Sequence, residues 1–211
     1  KNSVLKLLAA SLLVPGEITL KNIPKLNDIK TMLKLLKELG AKITEHDGDI
    51  TINCVDVKET KAHYDIVRTM RASILVLGPL LTRFGYASVS LPGGCAIGAR
   101  PIDMHLNGLK ALGAEIEIFD GYVVAKAEKL KGAKIELPFP SVGATENILM
   151  AAVFADGITI INNAAREPEI TDLGNFLSKI YPNLKIQGLG TSVITINGID
   201  KKSAFSNISY Q

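Results

Sequence analysis

The residues best suited by type to do chemistry lie in one short stretch, Pro92-Gly93-Gly94-Cys95-Ala96-Ile97-Gly98-Ala99-Arg100-Pro101-Ile102-Asp103. Its three glycines permit unusual backbone angles and let a ligand approach the main chain closely. Cys95 sits among these small residues with little to pack against, so its thiol is expected to be accessible. Arg100 nearby favours the thiolate. A structural cysteine is normally buried, and Cys54, inside the β-branched run 50–57, is expected to be one. The loop lacks the Gly-Lys-Ser/Thr ending of a P-loop, which disfavours a nucleoside triphosphate. The two cysteines form no CxxC pair and no histidine stands at zinc-finger spacing, so neither a metal centre nor a disulfide framework is expected. His105 reads as either a support for the loop or a surface residue, with support favoured over catalysis, and His46 and His63 read as incidental.

The elements that must hold this loop come in three copies. Ser3, Ala72 and Ala144 each open an apolar run at the same distance before Gly16, Gly85 and Gly157. Those glycines recur about 70 residues apart, the period of a repeated structural unit. After each glycine comes a β-branched strand, such as Ile158-Thr159-Ile160-Ile161. A second helix is expected over residues 28–39, 101–112 and 169–180, with Pro101 at a favoured first helical position. In the first two copies Gly40 and Gly113 are plausible C-caps. Short hairpins follow, the first turning at Asp47-Gly48. The first helix of each unit is apolar nearly all round and therefore buried, whereas 28–39 sets Ile29, Met32, Leu33, Leu36 and Leu39 against lysines. Units of about 70 residues could not cover such helices alone. The expected architecture is one α/β (α+β) domain, an inside-out barrel of three βαβαββ repeats at about 1–66, 67–138 and 139–200.

If the three buried helices run parallel, their N-termini meet and present unpaired N–H groups to an anion. The residues there are Lys1 and Asn2, Thr69-Met70-Arg71, and Ser141-Val142-Gly143. A solvated surface charge is the bland reading of either cation alone, and their recurrence at equivalent points of two repeats argues against it.

Composition narrows the partners. The 211 residues carry a net charge of +3 and are 47% hydrophobic and 21% charged, ordinary for a globular protein. Aromatic residues make up 5% and there is no tryptophan, which argues against a base-stacking platform. No lysine and arginine stripe marks a nucleic-acid surface, and no apolar run is long enough to span a bilayer. The chain opens at Lys1, without methionine, directly in a helical pattern, so a preceding segment is expected. No signal peptide is visible, and cytoplasm is the default location.

Five segments carry a resemblance to a known family. They are Lys1-Asn2-Ser3, Arg71-Ala72-Ser73-Ile74, the cysteine loop with Arg100-Pro101, Ser141-Val142-Gly143-Ala144-Thr145-Glu146, and Asn163-Ala164-Ala165-Arg166-Glu167-Pro168-Glu169. In this order, along essentially the whole chain, they resemble the UDP-N-acetylglucosamine 1-carboxyvinyltransferases, also called enolpyruvyl transferases. The resemblance implies a two-domain enzyme with its active site between inside-out barrels, of which this chain is the domain bearing the cysteine loop. It implies transfer of the enolpyruvyl group of phosphoenolpyruvate to the sugar 3-hydroxyl of UDP-N-acetylglucosamine, with no cofactor and no metal.

By that resemblance Cys95 is the general acid, able to form a phosphoenolpyruvate adduct and open to alkylation by fosfomycin. Lys1, Asn2, Arg71 and Arg100 hold phosphoenolpyruvate. Arg71, Arg100, Pro101, Ile102, Asp103, Met104, Ser141, Val142, Gly143 and Glu167 serve the sugar nucleotide. Phe139 is a departure, because many family members have lysine there; a neighbour such as Lys134 could substitute. The alternatives are another enolpyruvyl transferase of the same fold, or a non-catalytic binding module.

Overall fold

The computed structural model describes residues 2–67, 70–91 and 102–211. The first apolar run forms α1 (Asn2–Ala10) and a 3-10 turn, Ser11–Leu13, and is buried from Val4 to Val14. After it come β1 (Glu17–Leu20), α2 (Asn27–Glu38), β2 (Lys42–His46) and β3 (Asp49–Asn53). The apolar stripe of α2 points inward as expected: Ile29, Met32, Leu33, Leu36 and the following Leu39 are buried.

The next segment adds β4 (Lys61–Ala62), α3 (Tyr64–Val67), a 3-10 helix (Arg71–Val76), α4 (Leu77–Phe84) and β5 (Tyr86–Ser90). Then come α5 (Asp103–Ala111), β6 (Glu115–Phe119), β7 (Tyr122–Lys126) and β8 (Lys134–Glu136). The chain ends with α6 (Val142–Ala152), β9 (Ile158–Asn162), α7 (Pro168–Ile180), β10 (Lys185–Gln187), β11 (Val193–Asn197) and β12 (Ile208–Tyr210).

Helices α2 and α7 start within one residue of the sequence reading, and two other helix starts differ from it more. The second buried helix opens as six 3-10 residues rather than an α-helix. Helix α5 begins at Asp103, two residues after the expected start, with Ile102 in the capping position.

Helix ends and hairpin turns follow local chemistry. At Gly40 and Gly113 the backbone is left-handed, with φ of 104° and 93°. There Gly40 N–H donates to Lys37 O and Ala41 N–H to Leu36 O; Gly113 and Ala114 donate likewise to Lys110 and Leu109. This double bond pattern stops both helices. The turns Asp47-Gly48 and Asp120-Gly121 have positive φ at both central residues, the arrangement that matches strand twist in a two-residue hairpin.

Three four-stranded sheets share one plan, β12-β1-β3-β2, β4-β5-β7-β6 and β8-β9-β11-β10. In each the first pair is parallel and the others antiparallel. The first sheet takes its parallel strand, β12, from the far end of the chain: Ile18 stands opposite Ile208 and Leu20 opposite Tyr210. A Cβ on Gly16 would lie 2.3 Å from the ring of Phe205 in the segment leading to β12. Gly16 is therefore small for packing, whereas Gly85 and Gly157 adopt φ of 75° and 90°.

Helices α1, α4 and α6 form the middle of one continuous apolar core. Among the described residues no helix is long and apolar enough to cross a membrane.

Candidate functional site

The 3-10 helix that begins at Arg71 packs on both α1 and α6, so three of the sequence-singled segments share one neighbourhood. Asn2 is the first residue of α1. Lys1, Cys95, Arg100 and Pro101 lie outside the described residues, as does the side chain of Arg71.

Ser141 caps α6, its Oγ accepting from Ala144 N–H at 3.4 Å, and Val142 and Gly143 form the first turn. A helix start leaves its first N–H groups without intrahelical partners and carries a partial positive charge, and the sequence reading puts a diphosphate at this one. Gly143 also has a packing role: a Cβ there would stand 3.1 and 3.2 Å from Cε1 and Nε2 of His105. Asp103 and Met104 open α5 behind Ile102. Glu167 is exposed in the capping position of α7, with Pro168 in the first helical turn. The preceding turn is held to α6, where Thr145 Oγ1 accepts from Ala165 N–H at 3.1 Å. Phe139 is 56% exposed before the Ser141 cap, and Lys134 opens β8 at the end away from it.

Beneath these helix starts lie two polar groups that the sequence reading passed over. Asn147 is fully buried. Its Oδ1 accepts from Gly78 N–H at 2.7 Å, and its Nδ2 donates to Ile74 O at 3.0 Å and meets His105 Nδ1 at 3.1 Å. With that donation His105 Nδ1 is the acceptor, so the ring is neutral with its proton on Nε2, an assignment made from the network. Burial holds the His105 pKa down, to about 4. His105 thus braces Asn147 and the start of α6, while the loop it was expected to support lies outside the described residues.

Glu146, the preceding residue, is equally buried, 3.3 Å from Lys6 Nζ of α1. Lys6 also lies 3.8 Å from Glu169 in the first turn of α7. Burial pushes the Glu146 carboxyl up to about 8; Lys6 opposes the shift, while Glu169 and Glu167 add to it. One turn earlier, Ser3 donates to Asp172 Oδ2, and Tyr210 of β12 donates to Asp172 Oδ1 at 2.7 Å. The pairs Ser3–Asp172 and Lys6–Glu169 run in opposite order along α1 and α7, as in an antiparallel helix pair. A charged residue inside an otherwise apolar helix was the available signal for Lys6 and Glu146, since such a position demands a partner.

Cys54 is fully buried, and burial raises its thiol to about 11 against the pull of Ser11 and Arg83. Its assignment to the core holds. His46 is exposed beside Asp47. A cavity of about 490 Å³ lies between α2 and the β2–β3 turn, lined by Lys25, Lys30, Glu45 and Asp49 among others. It contains none of the expected site residues. An open surface hollow of this kind is weaker ground for a site than converging helix starts over buried polar groups.

The family described as EPSP synthase (3-phosphoshikimate 1-carboxyvinyltransferase) matches residues 1–208, and the chain belongs to it. Curated relatives are named more narrowly. UDP-N-acetylglucosamine 1-carboxyvinyltransferase 1 of Caldanaerobacter subterraneus subsp. tengcongensis is 57% identical over 199 residues, which is 94% of this chain and 47% of the relative. UDP-N-acetylglucosamine 1-carboxyvinyltransferase of Coxiella burnetii (strain Dugway 5J108-111) is 53% identical over 208 residues, 98% of this chain and 48% of the relative.

Among solved structures, the enolpyruvyl transferase NikO from Streptomyces tendae superposes with a TM-score of 0.84 at 19% identity, covering 98% of this chain and 48% of that one. EPSP synthase from Acinetobacter baumannii gives 0.77 at 18% identity, covering 100% and 48%. These two likenesses concern the fold, which is the enolpyruvyl-transferase fold: three small sheets outside, apolar helices inside. The chain spans about half the length of the curated relatives it matches.

Proposed function

We propose that this chain is one half of a UDP-N-acetylglucosamine enolpyruvyl transferase acting in the first committed step of peptidoglycan synthesis in the cytoplasm. It forms a single domain of three units, whose sheets take their parallel strands from β12, β4 and β8, and works with a second domain of the same enzyme. The observation that carries the reading is 57% identity, over 94% of the chain, to a relative of that name.

The sugar 3-hydroxyl adds to C2 of phosphoenolpyruvate while C3 gains a proton. The tetrahedral adduct then loses phosphate from C2 and a proton from C3, restoring the double bond in the product. Cys95 supplies the general acid. Lys1, Asn2, Arg71 and Arg100 bind phosphoenolpyruvate, and the two arginines also reach the sugar nucleotide. Pro101, Ile102, Asp103 and Met104 receive the uridine. The α6 start at Ser141, Val142 and Gly143 takes the diphosphate, and Glu167 is a site carboxylate for the sugar nucleotide. Helix-start N–H groups and guanidinium groups bind oxyanions without reorganising.

Cys54 is the internal control for the cysteine assignment. Fosfomycin added to the folded chain is expected to alkylate Cys95 and leave Cys54 untouched by peptide mapping. The complete protein containing this chain is expected to release phosphate from phosphoenolpyruvate only when UDP-N-acetylglucosamine is present, and Cys95→Ala to lose most of that turnover. The 211-residue chain alone should bind the sugar nucleotide weakly without turning over, because catalysis needs both reactants held in a closed cleft. Binding of an RNA pool in preference to UDP-N-acetylglucosamine would replace this reading with that of a non-catalytic module.

A further inference from the structure

We propose that Asn147 is a positioning residue for the sugar-nucleotide site. Its side-chain amide fixes where the segment carrying Arg71 and the segment carrying Ile102, Asp103 and Met104 stand relative to the Ser141 end of α6. The proposal rests on the functional reading above and names a residue outside the group that touches substrate.

Ile74 and Gly78 are four residues apart, the spacing at which an α-helix would join Gly78 N–H to Ile74 O. Here the Asn147 amide pairs with both groups, accepting from Gly78 N–H at 2.7 Å and donating to Ile74 O at 3.0 Å. The winding changes at this point: 3-10 over Arg71–Val76, α over Leu77–Phe84. A 3-10 helix advances about 2.0 Å and 120° per residue against about 1.5 Å and 100° in an α-helix. Over the six residues from Arg71 to Val76, the two windings differ by roughly 3 Å in length and 120° in direction. Where Arg71 stands thus depends on the amide remaining between Ile74 and Gly78.

The second Nδ2 hydrogen points to His105 Nδ1 at 3.1 Å. His105 lies in α5 one turn from Ile102, and its ring rests against Gly143. One fully buried amide therefore touches all three segments, and each of its polar atoms is used. The fit is close, since a Cβ on Gly78 would stand 2.4 Å from Asn147 Oδ1 and 2.5 Å from its carbonyl oxygen. Gly78 is glycine because Asn147 occupies that space.

The test titrates the 211-residue chain with UDP-N-acetylglucosamine and follows amide shifts and through-hydrogen-bond couplings by NMR. Asn147→Leu has a similar shape and frees Gly78 N–H to bond Ile74 O directly. It is expected to gain that coupling, move the Arg71, Ala72 and Ser73 amides, and weaken the sugar nucleotide at least about tenfold. Leu36→Ala in α2 serves as a control of lowered stability remote from the site, and its affinity should stay within about twofold of the parent.

Wild-type affinity in Asn147→Leu, or an affinity loss no larger than in Leu36→Ala, overturns the proposal. If Asn147→Leu does not fold, Asn147→Asp takes its place, since it still accepts from Gly78 but cannot donate to Ile74, and the same affinity criterion applies. Should the parent chain not bind UDP-N-acetylglucosamine, the functional reading fails for this chain. The Arg71, Ala72 and Ser73 amides then decide positioning alone: unmoved in the variant beyond the control, they refute it.

Discussion

Glu146 and Asn147 are consecutive residues of α6, and both side chains are fully buried, yet the fold treats them in opposite ways. Asn147 is neutral, and its amide meets two backbone groups and an imidazole. Among the described residues Glu146 has only the ammonium of Lys6, at 3.3 Å, as a partner. A satisfied amide stiffens what it touches and carries no charge to titrate. A buried carboxylate facing one lysine and two further glutamates keeps a desolvation penalty that one ion pair does not remove. The same helix therefore holds an amide that carries no charge of its own and, one residue away, a group set to change charge near pH 8.

The sharpest way to break this comparison is to remove the amide. Asn147→Ala leaves the His105 ring nitrogen without its donor and makes Gly78 N–H rewind towards Ile74 O, which Leu77 N–H already uses. A group left unsatisfied costs about 1–3 kcal/mol, and the cavity opened in a dry interior adds roughly 2 kcal/mol. We expect a loss of about 3 kcal/mol or more by urea unfolding, at any pH between 6 and 8. A loss below about 1 kcal/mol would mean that water or relaxation satisfies these groups and the clamp is not rigid.

The charged member responds to pH instead. The Glu146 pKa is raised to about 8 in the fold from 4.5. The folded state therefore binds a proton that the unfolded chain has lost, and this stabilisation disappears as pH rises through 8. The His105 pKa is lowered to about 4 from 6.5. Its contribution has the opposite sign: it is present above 6.5 and lost as pH falls towards 4. Between 4.5 and 6.5 the two slopes oppose each other, each at most about 1.4 kcal/mol per pH unit. Glu146→Gln is expected to abolish the decline in stability between pH 6.5 and 8 and to expose the His105 slope below 6.5. Identical stability–pH curves for parent and variant would show that Glu146 does not titrate in this window.

Lys6→Met is a smaller perturbation near neutrality, because Glu146 can remain protonated. Its cost should be about 1–2 kcal/mol at pH 7 and grow above pH 8, where the unpaired carboxyl must hold its proton against solvent. A cost independent of pH would assign Lys6 to Glu169 alone.

These nodes mark where the sequence stops being readable. The buried helices, the glycine stops at Gly40 and Gly113, the Asp-Gly turns and the core position of Cys54 follow from local chemistry, and each is visible within a few residues. The starts of α6 and α7 are legible for the same reason, since serine and proline mark them. The 3-10 start at Arg71 is not, because the residue that breaks the helix, Asn147, lies far along the chain and meets it only in the fold. Strand β12 was missed likewise: three residues show no usable alternation, and its partner β1 lies near the other end of the sequence. Lys6 vanished inside a leucine-rich run, and its partners Glu146 and Glu169 come from two later helices.

The smallest effect should come from the end of α6. Ser141 Oγ accepts from Ala144 N–H at 3.4 Å, a long bond at the margin of useful geometry. Removing a well-formed cap costs about 1 kcal/mol, so Ser141→Ala should cost about 0.5 kcal/mol or less. Neither buried node depends on this hydroxyl, and the stability–pH curve should keep its shape. The affinity for UDP-N-acetylglucosamine should respond differently. A hydroxyl that spends little on its own helix is free to donate to an anion, and its loss should weaken binding by more than the stability change converted to the same scale. Calorimetric titration beside urea unfolding of the same variant measures both quantities. If affinity and stability fall by equal amounts, Ser141 is only a cap, and the diphosphate contact at this helix start must come from backbone N–H groups alone.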